Sequence, residues 1–325
     1  MTSILPRIGK RIRPGTKTYI RDHQNSEAEI VKMKPEAFSC PVCRSQITTL
    51  YYCKNRTIPV KSFNPSSTDF GIYYDLYRCE ECHAVFASEI PSEEAIAEVY
   101  QASCHDGYLL EETNRRHNFL GLIRMIAIYQ DTGQPLKLLD VGASTGLFLD
   151  TVRSLYPNWI LLGVEASLSA IGQARQLYNI KLKQGMFELV EIPPASQDII
   201  TMLDFIEHVR DPRENIKLAK RYLKPGGILV ITTPNINSWT SRIFRSRWWG
   251  FRLMHTLYFS RLSMTQMMAQ EGFQVIKMRG LIRFFSLRYC LRHLGWTIQG
   301  PSIQIPFPLS LGDMLVVARK EVSMN

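Results

Sequence analysis

Residues 138–149, which read LLDVGASTGLFL, constrain the fold more than any other part of the sequence. An apolar run typical of a buried strand delivers Asp140, and Gly142 and Gly146 follow before a helical pattern begins. Glycines at such a turn allow a ligand to lie against the backbone. The spacing is Asp-x-Gly-x-x-x-Gly, not Gly-x-Gly-x-x-Gly, and no Gly-Lys-Ser/Thr follows, so the loop favours a ligand without phosphates. A tight turn with a purely structural role is the alternative.

Strands and helices alternate along the chain from Leu136 onward. The predicted strands cover residues 136–141, 159–164, 180–183, 198–203 and 228–232, and the predicted helices cover 146–155, 167–178 and 215–223. This alternation is typical of an α/β fold with a mostly parallel sheet. Two later apolar runs, 273–278 and 314–318, predict an antiparallel pair at the sheet edge.

Glu165 stands at the end of the second predicted strand, 19 residues after Gly146. A carboxylate at that place can accept hydrogen bonds from both hydroxyls of a ribose. A solvated glutamate is the alternative. The glycine loop, this acid and the Pro225–Gly227 turn before the fifth strand together favour a nucleoside ligand.

The exit of the fourth predicted strand, residues 202–212, reads MLDFIEHVRDP. Open α/β sheets place their chemistry at such carboxyl ends. If a helical turn follows, Asp204, Glu207 and His208 share one face. His208 is then a candidate general base, or a contact to cofactor or acceptor. Alternatively, the glutamate and histidine only hold the loop through hydrogen bonds.

His255 and Tyr258 form a second candidate catalytic pair, before the predicted helix that ends at Gly272. Both side chains can donate or accept a proton. The alternative for His255 is a buried residue whose hydrogen bonds fix its loop.

Four of the seven cysteines form two Cys-x-x-Cys pairs, Cys40 with Cys43 and Cys79 with Cys82, which are separated by 35 residues. Four thiolates can surround Zn²⁺ tetrahedrally, and a site without an open position is structural. Such a metal would stabilise a strand-rich module that is too small to build a good core alone. Iron–sulfur or redox use, or plain structural thiols, are the alternatives.

Arginine and aromatic residues are concentrated between residues 236 and 261. They are Trp239, Arg242, Phe244, Arg245, Arg247, Trp248, Trp249, Phe251, Arg252, Tyr258 and Arg261. Such a segment suits a phosphorylated or carbohydrate acceptor, single-stranded nucleic acid or an anionic membrane surface. A lid that packs its rings inward and leaves its arginines in water is the alternative.

The predicted organisation has four parts. They are a basic flexible tail (1–34), a zinc-ribbon-like module (35–90), a helical linker (91–133), and an α/β domain (134–322) with insertions at about 236–262 and 281–308. The net charge is +10, and no apolar run reaches the roughly 18–20 residues that span a bilayer. The basic N-terminus lacks the apolar segment of a secretory signal. We expect a cytoplasmic protein, with peripheral contact to an anionic membrane as a further expectation.

The order of these motifs over residues 136–320 resembles that of class I S-adenosylmethionine (SAM)-dependent methyltransferases. From Cys40 onward the chain resembles bacterial members with a zinc-ribbon-like N-terminus, through CPVC at 40–43 and YRCEEC at 77–82. The resemblance implies a Rossmann-like, mostly parallel sheet whose seven strands have the order 3-2-1-4-5-7-6.

The resemblance also implies a binding site for SAM. Its predicted cofactor-binding residues are Asp140, Gly142, Ala143, Gly146, Glu165, Met186, Phe187 and Leu203. The aspartate and the glycines would surround the methionine part, and Glu165 would hold the ribose. Many relatives carry Gly-Asp after the third strand, whereas residues 184–187 here read QGMF, so Met186 or Phe187 would pack against adenine instead.

Similarity to ubiquinone-pathway O-methyltransferases adds a third hypothesis for the exit of strand four. In those enzymes an acidic residue, a glutamate and a histidine in this arrangement bind a divalent cation. Asp204, Glu207 and His208 could accordingly hold Mg²⁺ together with waters.

The leading functional prediction is SAM-dependent methyl transfer to an oxygen, with carbon as second choice. The acceptor would be a small molecule, a sugar, or a glycan- or lipid-linked precursor. RNA methylation, in which the zinc module and basic tail grip nucleic acid, is a less favoured alternative, because strand four lacks the Asn/Asp-Pro-Pro-Tyr/Phe signature. A non-catalytic SAM-binding interaction protein is the other alternative.

Overall fold

The computed structural model describes residues 30–32, 39–54, 71–91, 111–286 and 306–321. Most of the predicted basic tail, residues 92–110 of the predicted helical linker and residues 287–305 of the second predicted insertion lie outside these residues. Within the described part of the chain, no helix combines the length and apolar character needed to cross a bilayer.

The described residues form fifteen strands and six α-helices. The strands are β1 (Ile30–Lys32), β2 (Thr48–Tyr52), β3 (Leu76–Cys79), β4 (Val85–Ala87), β5 (Glu89–Pro91), β6 (Lys137–Val141), β7 (Ile160–Glu165), β8 (Lys183–Gln184), β9 (Gln197–Leu203), β10 (Leu223–Pro234), β11 (Leu257–Tyr258), β12 (Phe273–Gly280), β13 (Arg283–Ser286), β14 (Pro306–Leu309) and β15 (Asp313–Lys320). The helices are α1 (Glu112–Ala127), α2 (Leu147–Leu155), α3 (Leu168–Tyr178), α4 (Pro212–Tyr222), α5 (Trp239–Phe244) and α6 (Arg261–Gln270).

The main sheet has seven strands in the order β12-β15-β10-β9-β6-β7-β8. When β6 is counted as the first strand, this is the predicted order 3-2-1-4-5-7-6, and the α/β prediction is confirmed. β6 pairs in parallel with β7 and β9, and β9 pairs in parallel with β10. β15 is antiparallel to both of its neighbours, β10 and β12, as expected for the edge pair.

Several element boundaries differ from the prediction, and the structure gives a reason for two of them. Helix α4 begins three residues early because Asp211 accepts hydrogen bonds from the Arg213 and Glu214 amides and Pro212 occupies the first helical position. The third strand of the fold was predicted at 180–183 but is β8, because Ile180 packs in the core beneath the sheet instead of pairing.

Alternate residues of the same strands belong to two different cores. Leu139 of β6 and Ile200 of β9 belong to one core, whereas Leu138 and Ile199 belong to the other. Successive side chains of a strand point to opposite faces, so helices cover both faces of this sheet.

The cysteine-bearing segment is not a separate body. Its strands β2, β3 and β4 form a four-stranded sheet whose fourth member is β11, from the predicted insertion. Tyr73 and Tyr74 precede β3 and are buried in a third core. Residues 30–32, predicted as flexible tail, form β1 and pair with β5, which corrects that boundary.

Candidate active site

A cavity of about 1080 Å³ lies at the carboxyl ends of β6, β7 and β9. The glycine loop, the end of β7 and the turn after β9 contribute to its lining. Helix α1, the 249–255 segment and β13 line it too, together with Phe86 and Ala87 from the cysteine-bearing sheet. The cavity is therefore lined both by residues of the predicted cofactor site, such as Gly142 and Glu165, and by the candidate catalytic residues His208 and His255.

The glycine loop adopts a backbone that only glycine tolerates well. Gly142 has a φ of +72° and borders the cavity, and a Cβ there would approach the ring of Phe205 to 2.9 Å. Ala143 also lines the cavity, as predicted. Gly146 does not border it, which corrects its predicted role: with a φ of +76° it caps α2 and packs against Ala174 and Ile180.

Asp140 and Glu165 lie on the cavity wall as buried carboxyl groups. The Thr201 hydroxyl donates to Asp140 at 2.6 Å, and burial, reinforced by nearby Glu165, raises the pKa of Asp140 to about 7. Glu165 accepts hydrogen bonds from the Ser144 amide at 2.7 Å and the Ser167 amide at 2.8 Å. These bonds fix the carboxylate between the glycine loop and the start of α3.

The three apolar residues predicted for the cofactor, Met186, Phe187 and Leu203, all line the cavity. Phe187 is also part of the core, where its ring meets Tyr222 edge-on at a centroid distance of 5.8 Å. A flat ligand would therefore meet a rigid wall on this side.

His208 and His255 approach each other across the turn after β9, with ring centroids 4.7 Å apart. The Nδ1 atom of His208 lies 3.0 Å from the Met254 carbonyl oxygen, and that of His255 lies 2.9 Å from the Gly250 carbonyl. A carbonyl oxygen only accepts, so each Nδ1 carries the hydrogen and each Nε2 is the basic nitrogen. Burial lowers the pKa of His208 to about 4 and that of His255 well below its usual value, so both rings are neutral near pH 7.

Glu207 lies beside the two imidazoles and is 1% exposed. Its Oε2 atom has no hydrogen-bond partner among the described residues. Burial, together with the charge of Asp204, raises the pKa of Glu207 well above its usual range. The backbone carbonyl of Glu207 accepts from the Thr256 amide at 3.0 Å, which ties the His208 turn to the His255 segment.

Asp204 does not share a helical face with Glu207 and His208, which corrects the prediction. Its φ of +53° redirects the chain, and only one hydrogen-bonded turn, from the His208 amide to the Phe205 carbonyl, follows. The Asp204 carboxylate receives two hydrogen bonds from Arg283, of 2.6 and 2.7 Å. Although burial opposes ionisation, this guanidinium lowers the pKa of Asp204 to about 2.

Tyr258, a predicted catalytic residue, is misplaced for that role. It is 0% exposed, belongs to β11 and does not border the cavity. Its hydroxyl donates to the Arg252 carbonyl at 3.2 Å. Pairing of β11 with β4 turns this side chain into the third core.

The prediction missed a wall of the cavity built by α1 and β13. The Asn118 side chain donates to the Phe284 carbonyl at 3.0 Å and accepts from the Phe284 amide at 2.7 Å. Arg283 adds an ion pair with Asp313 at 3.1 Å. The sequence signal for this wall was Arg283, which stands among apolar residues at 281–285. Its partner, Asp204, lies 79 residues earlier and could not be inferred from the sequence.

The four predicted metal-binding cysteines come together. The Sγ atoms of Cys40 and Cys82 are 3.5 Å apart, as are those of Cys43 and Cys79, and all four lie within 4.8 Å of one another. These separations are too long for disulfides and suit four thiolates around one ion.

A family model described as a methyltransferase domain matches residues 110–278, more than half of the chain. The chain belongs to this methyltransferase domain family.

Curated relatives of the methyltransferase domain include O-methyltransferases. The ubiquinone biosynthesis O-methyltransferase of Pseudomonas fluorescens (strain Pf0-1) is 36% identical over 107 residues, which are 31% of this chain and 45% of that protein. The malonyl-[acyl-carrier protein] O-methyltransferase of Paenibacillus sp. (strain JDR-2) is 30% identical over 105 residues, 30% of this chain and 38% of that protein. The match thus spans less than half of the length of either relative.

Solved structures with a similar fold include a SAM-dependent methyltransferase of Thermotoga maritima, with a TM-score of 0.46 and 18% identity, over 65% of this chain and 91% of that one. Another is a SAM-dependent methyltransferase of Methanosarcina mazei, with a TM-score of 0.46 and 17% identity, over 61% of this chain and 98% of that one.

SAM is the cofactor of the methyltransferase domain, and the cavity wall fits it. The backbone at Gly142 leaves space that a side chain would fill, and the fixed carboxylate of Glu165 can accept from ribose hydroxyls. The family and the cofactor predicted from the sequence are therefore confirmed.

The Mg²⁺ hypothesis does not fit this methyltransferase domain. The ligand atoms that lie within 4.8 Å of one another belong to Glu207, His208 and His255, whereas Asp204 is neutralised by Arg283. A set of two imidazoles and one carboxylate suits transition metals better than Mg²⁺, which prefers oxygen ligands and waters.

Proposed function

We propose that this chain transfers a methyl group from SAM to a hydroxyl oxygen of a small molecule, with His208 as the general base. The observation that carries the proposal is the pair of imidazoles whose Nδ1 hydrogens are held by backbone carbonyls, in the cavity that also contains the glycine loop. The names of the curated relatives, which describe O-methylation, agree with oxygen as the acceptor atom.

When bound, SAM supplies a methyl group on a positively charged sulfur, open to attack by a nucleophile. The residues of the chain orient the acceptor, which is worth several orders of magnitude in rate, and His208 Nε2 accepts the hydroxyl proton as the C–O bond forms. His255 flanks His208 and keeps water from its other side. Glu207 faces the pair, and its Oε2 atom, which is unpartnered among the described residues, can accept a hydrogen bond from the protonated imidazole.

A pKa of about 4 for His208 is low for a base but sufficient here. A hydroxyl becomes a strong acid once its oxygen bonds to the methyl carbon, so the proton moves downhill to a weak base late in the reaction. The low pKa also keeps the imidazole unprotonated throughout the physiological range.

The size of the cavity leaves room for an acceptor. Ligand sites usually enclose about 300–1,000 Å³, and the cavity here has about 1080 Å³. We infer that SAM occupies the side of Gly142 and Glu165 and that the acceptor lies between His208 and Phe284. A sugar, or a glycan- or lipid-linked precursor, stays our narrower prediction for that acceptor. Neither RNA methylation nor a non-catalytic role is favoured by any described contact.

We further propose that Cys40, Cys43, Cys79 and Cys82 hold one structural Zn²⁺. Three of these side chains are fully buried, and their clustering without disulfides supports the assignment. Four thiolate ligands leave no open position, so the ion would take no part in methyl transfer.

Incubation of the purified protein with methyl-labelled SAM and fractions of a cell extract tests the proposed function. We expect label in a small-molecule or lipid fraction, and calorimetry should detect SAM binding. Label confined to RNA would contradict the proposal, as would failure of the folded protein to bind SAM or its demethylated product at millimolar concentration.

A further inference from the structure

Helix α5 and its C-terminal turn expose three large apolar side chains close together. Trp239, Ile243 and Phe244 are 56%, 64% and 44% exposed. The opposite side of the helix is anchored: Ser238 caps it, and Thr240 and Ser241 are buried. The helix is therefore held rigidly with its apolar residues outward. Exposed clusters of large apolar residues on a soluble fold usually mark an interaction site.

Three arginines frame this cluster. Arg242, Arg245 and Arg247 are exposed, and no ion pair joins them to an acid among the residues that the structure describes. We call these arginines together with Trp239, Ile243 and Phe244 the α5 surface.

The part of the sequence that contains the α5 surface is also strongly basic. Residues 215–320 contain sixteen lysines and arginines but two acids, Glu271 and Asp313. Both acids are engaged, Glu271 by Arg213 and Asp313 by Arg283. An anionic partner would thus meet no exposed acidic group contributed by this third of the chain.

The α5 surface lies beside the mouth of the cavity. The ring of Phe244 is 4.8 Å from that of Trp249, which lines the cavity. Trp249 Nε1 and the Thr240 hydroxyl both donate to the carbonyl of Leu311, another lining residue. Ile282, 62% exposed, lines the cavity too, so apolar groups continue from the α5 surface into the opening.

We propose that the α5 surface docks on an anionic lipid bilayer and holds the mouth of the cavity at the membrane interface. Tryptophan and phenylalanine insert at the level of the headgroups, and arginines beside them attract anionic lipids. The consequence that an amphipathic acceptor enters the cavity from the membrane rests on the proposed function, whereas the docking itself does not.

The charges and side chains of the α5 surface favour a membrane over a second copy of the chain or a nucleic acid. A second copy of the chain related by a two-fold axis would bring the same three arginines face to face, and such like-charge contacts are repulsive. Nucleic acid is read by stacking on aromatic faces, and Ile243, the most exposed of the three apolar residues, offers none.

Sedimentation with vesicles tests the proposal, using phosphatidylcholine alone and phosphatidylcholine with about one third phosphatidylglycerol. We expect the full chain to sediment with the anionic vesicles and not with the neutral ones. Trp239→Ser with Ile243→Ser, and separately Arg242→Gln with Arg245→Gln and Arg247→Gln, should each weaken binding at least fivefold. SAM affinity should stay unchanged in both variants.

Matched controls remove similar groups elsewhere on the surface. Leu168→Ser with Leu177→Ser removes exposed apolar groups from α3, and Arg124→Gln with Arg175→Gln and Lys181→Gln removes three exposed cations. Both controls should bind vesicles like the wild type.

The proposal is overturned if the wild type ignores anionic vesicles or if the controls lose as much binding as the α5 variants. It is also overturned if light scattering shows a dimer that only the α5 variants lose, or if only RNA is retained through these residues. Vesicle binding that persists in a protein unable to bind SAM would refute the proposed function and leave the docking intact.

Discussion

At the scale of single residues, two backbone hydrogen bonds decide what the active-site histidines can do. His208 and His255 each donate from Nδ1 to a carbonyl, and burial keeps both rings neutral. A histidine in water exchanges between its two neutral tautomers, but here the fold selects the one whose basic nitrogen is Nε2.

Two substitutions separate the proposed catalytic role of His208 from a structural one. His208→Asn keeps a donor near the Nδ1 position and removes the basic nitrogen, so turnover should fall at least tenfold while SAM affinity stays within about twofold. His208→Gln places its amide near the Nε2 position, and it should lose turnover as well because an amide accepts no proton. Turnover close to wild type in either variant, measured by labelled methyl transfer, would remove His208 from the mechanism.

The low pKa of His208 has a consequence for stability. The unfolded imidazole titrates near 6.5 and the folded one near 4, so the unfolded state binds the extra proton first as the pH falls. The difference in the free energy of unfolding between the wild type and His208→Asn should therefore shrink as the pH falls from 6.5 to about 4. The other titrating groups are the same in both proteins, so their contributions cancel in this difference. Urea denaturation at several pH values measures this difference, and a constant gap would contradict the shift.

Glu165 gives a second prediction for a single residue. Both of its oxygens accept backbone N–H groups, so Glu165→Gln would turn an amide NH₂ toward a donor and lose a charge-assisted bond. Affinity for SAM should fall at least tenfold, a loss of about 1.4 kcal/mol or more. Glu191→Gln, at an exposed position, is the control and should bind SAM normally. Equal affinities by calorimetry would exclude Glu165 from the cofactor site.

At the scale of elements, the side of the cavity that we propose for the acceptor depends on contacts between distant segments. Strand β13 is held on α1 by the paired hydrogen bonds of Asn118, and Arg283 of the same strand binds Asp204 at the end of β9. Neither helix α1 nor the β13–β14 pair carries a sequence motif for this contact. Docking of the two elements creates the wall.

Asn118→Ala tests that docking. The substitution leaves the Phe284 amide and carbonyl without their side-chain partner and should lower the free energy of unfolding by about 1–3 kcal/mol. We expect the KM for the acceptor to rise more than the dissociation constant of SAM, because β13 lies on the acceptor side. Asn158→Ala, in the exposed turn before β7, is the matched control. A rise confined to the SAM dissociation constant would show that the wall belongs to the cofactor half.

At the scale of the whole molecule, the cysteine-bearing sheet and the α/β domain share one core. Cys40, Cys79 and Cys82 pack in the same cluster as Leu139 of β6 and Ile200 of β9. The Ser260 hydroxyl, which caps α6, donates to the Cys82 carbonyl at 3.2 Å. A metal bound by the cysteines would therefore stabilise the α/β domain as well.

Metal analysis and thermal unfolding test this coupling. We expect about one zinc per chain, and Cys82→Ser should lose the metal and lower the Tm by about 10 °C or more in a single transition. Cys53→Ser, at an exposed cysteine, should change neither. Less than about a tenth of an equivalent of zinc in the wild type would refute the metal site. Two separate transitions in Cys82→Ser would refute the shared core.

Local chemistry made much of this protein predictable from its sequence. The glycine loop, the acid at the end of β7 and the alternation of strands and helices follow from hydrophobic periodicity and from backbone conformations that only glycine adopts readily. The order of the strands came from the resemblance to class I methyltransferases. The cysteine cluster was predictable as well, because two short spacings suffice to suggest four ligands.

The tertiary structure alone decided which polar groups meet. The pairing of Asp204 with Arg283, the burial of Tyr258 behind β11 and the place of Gly146 behind the loop all depend on contacts between segments distant in sequence. Periodicity reports which face of an element is apolar, but not which element covers that face. For that reason the sequence determined the fold and the glycine loop with Glu165, whereas packing determined the side of the cavity that we propose for the acceptor.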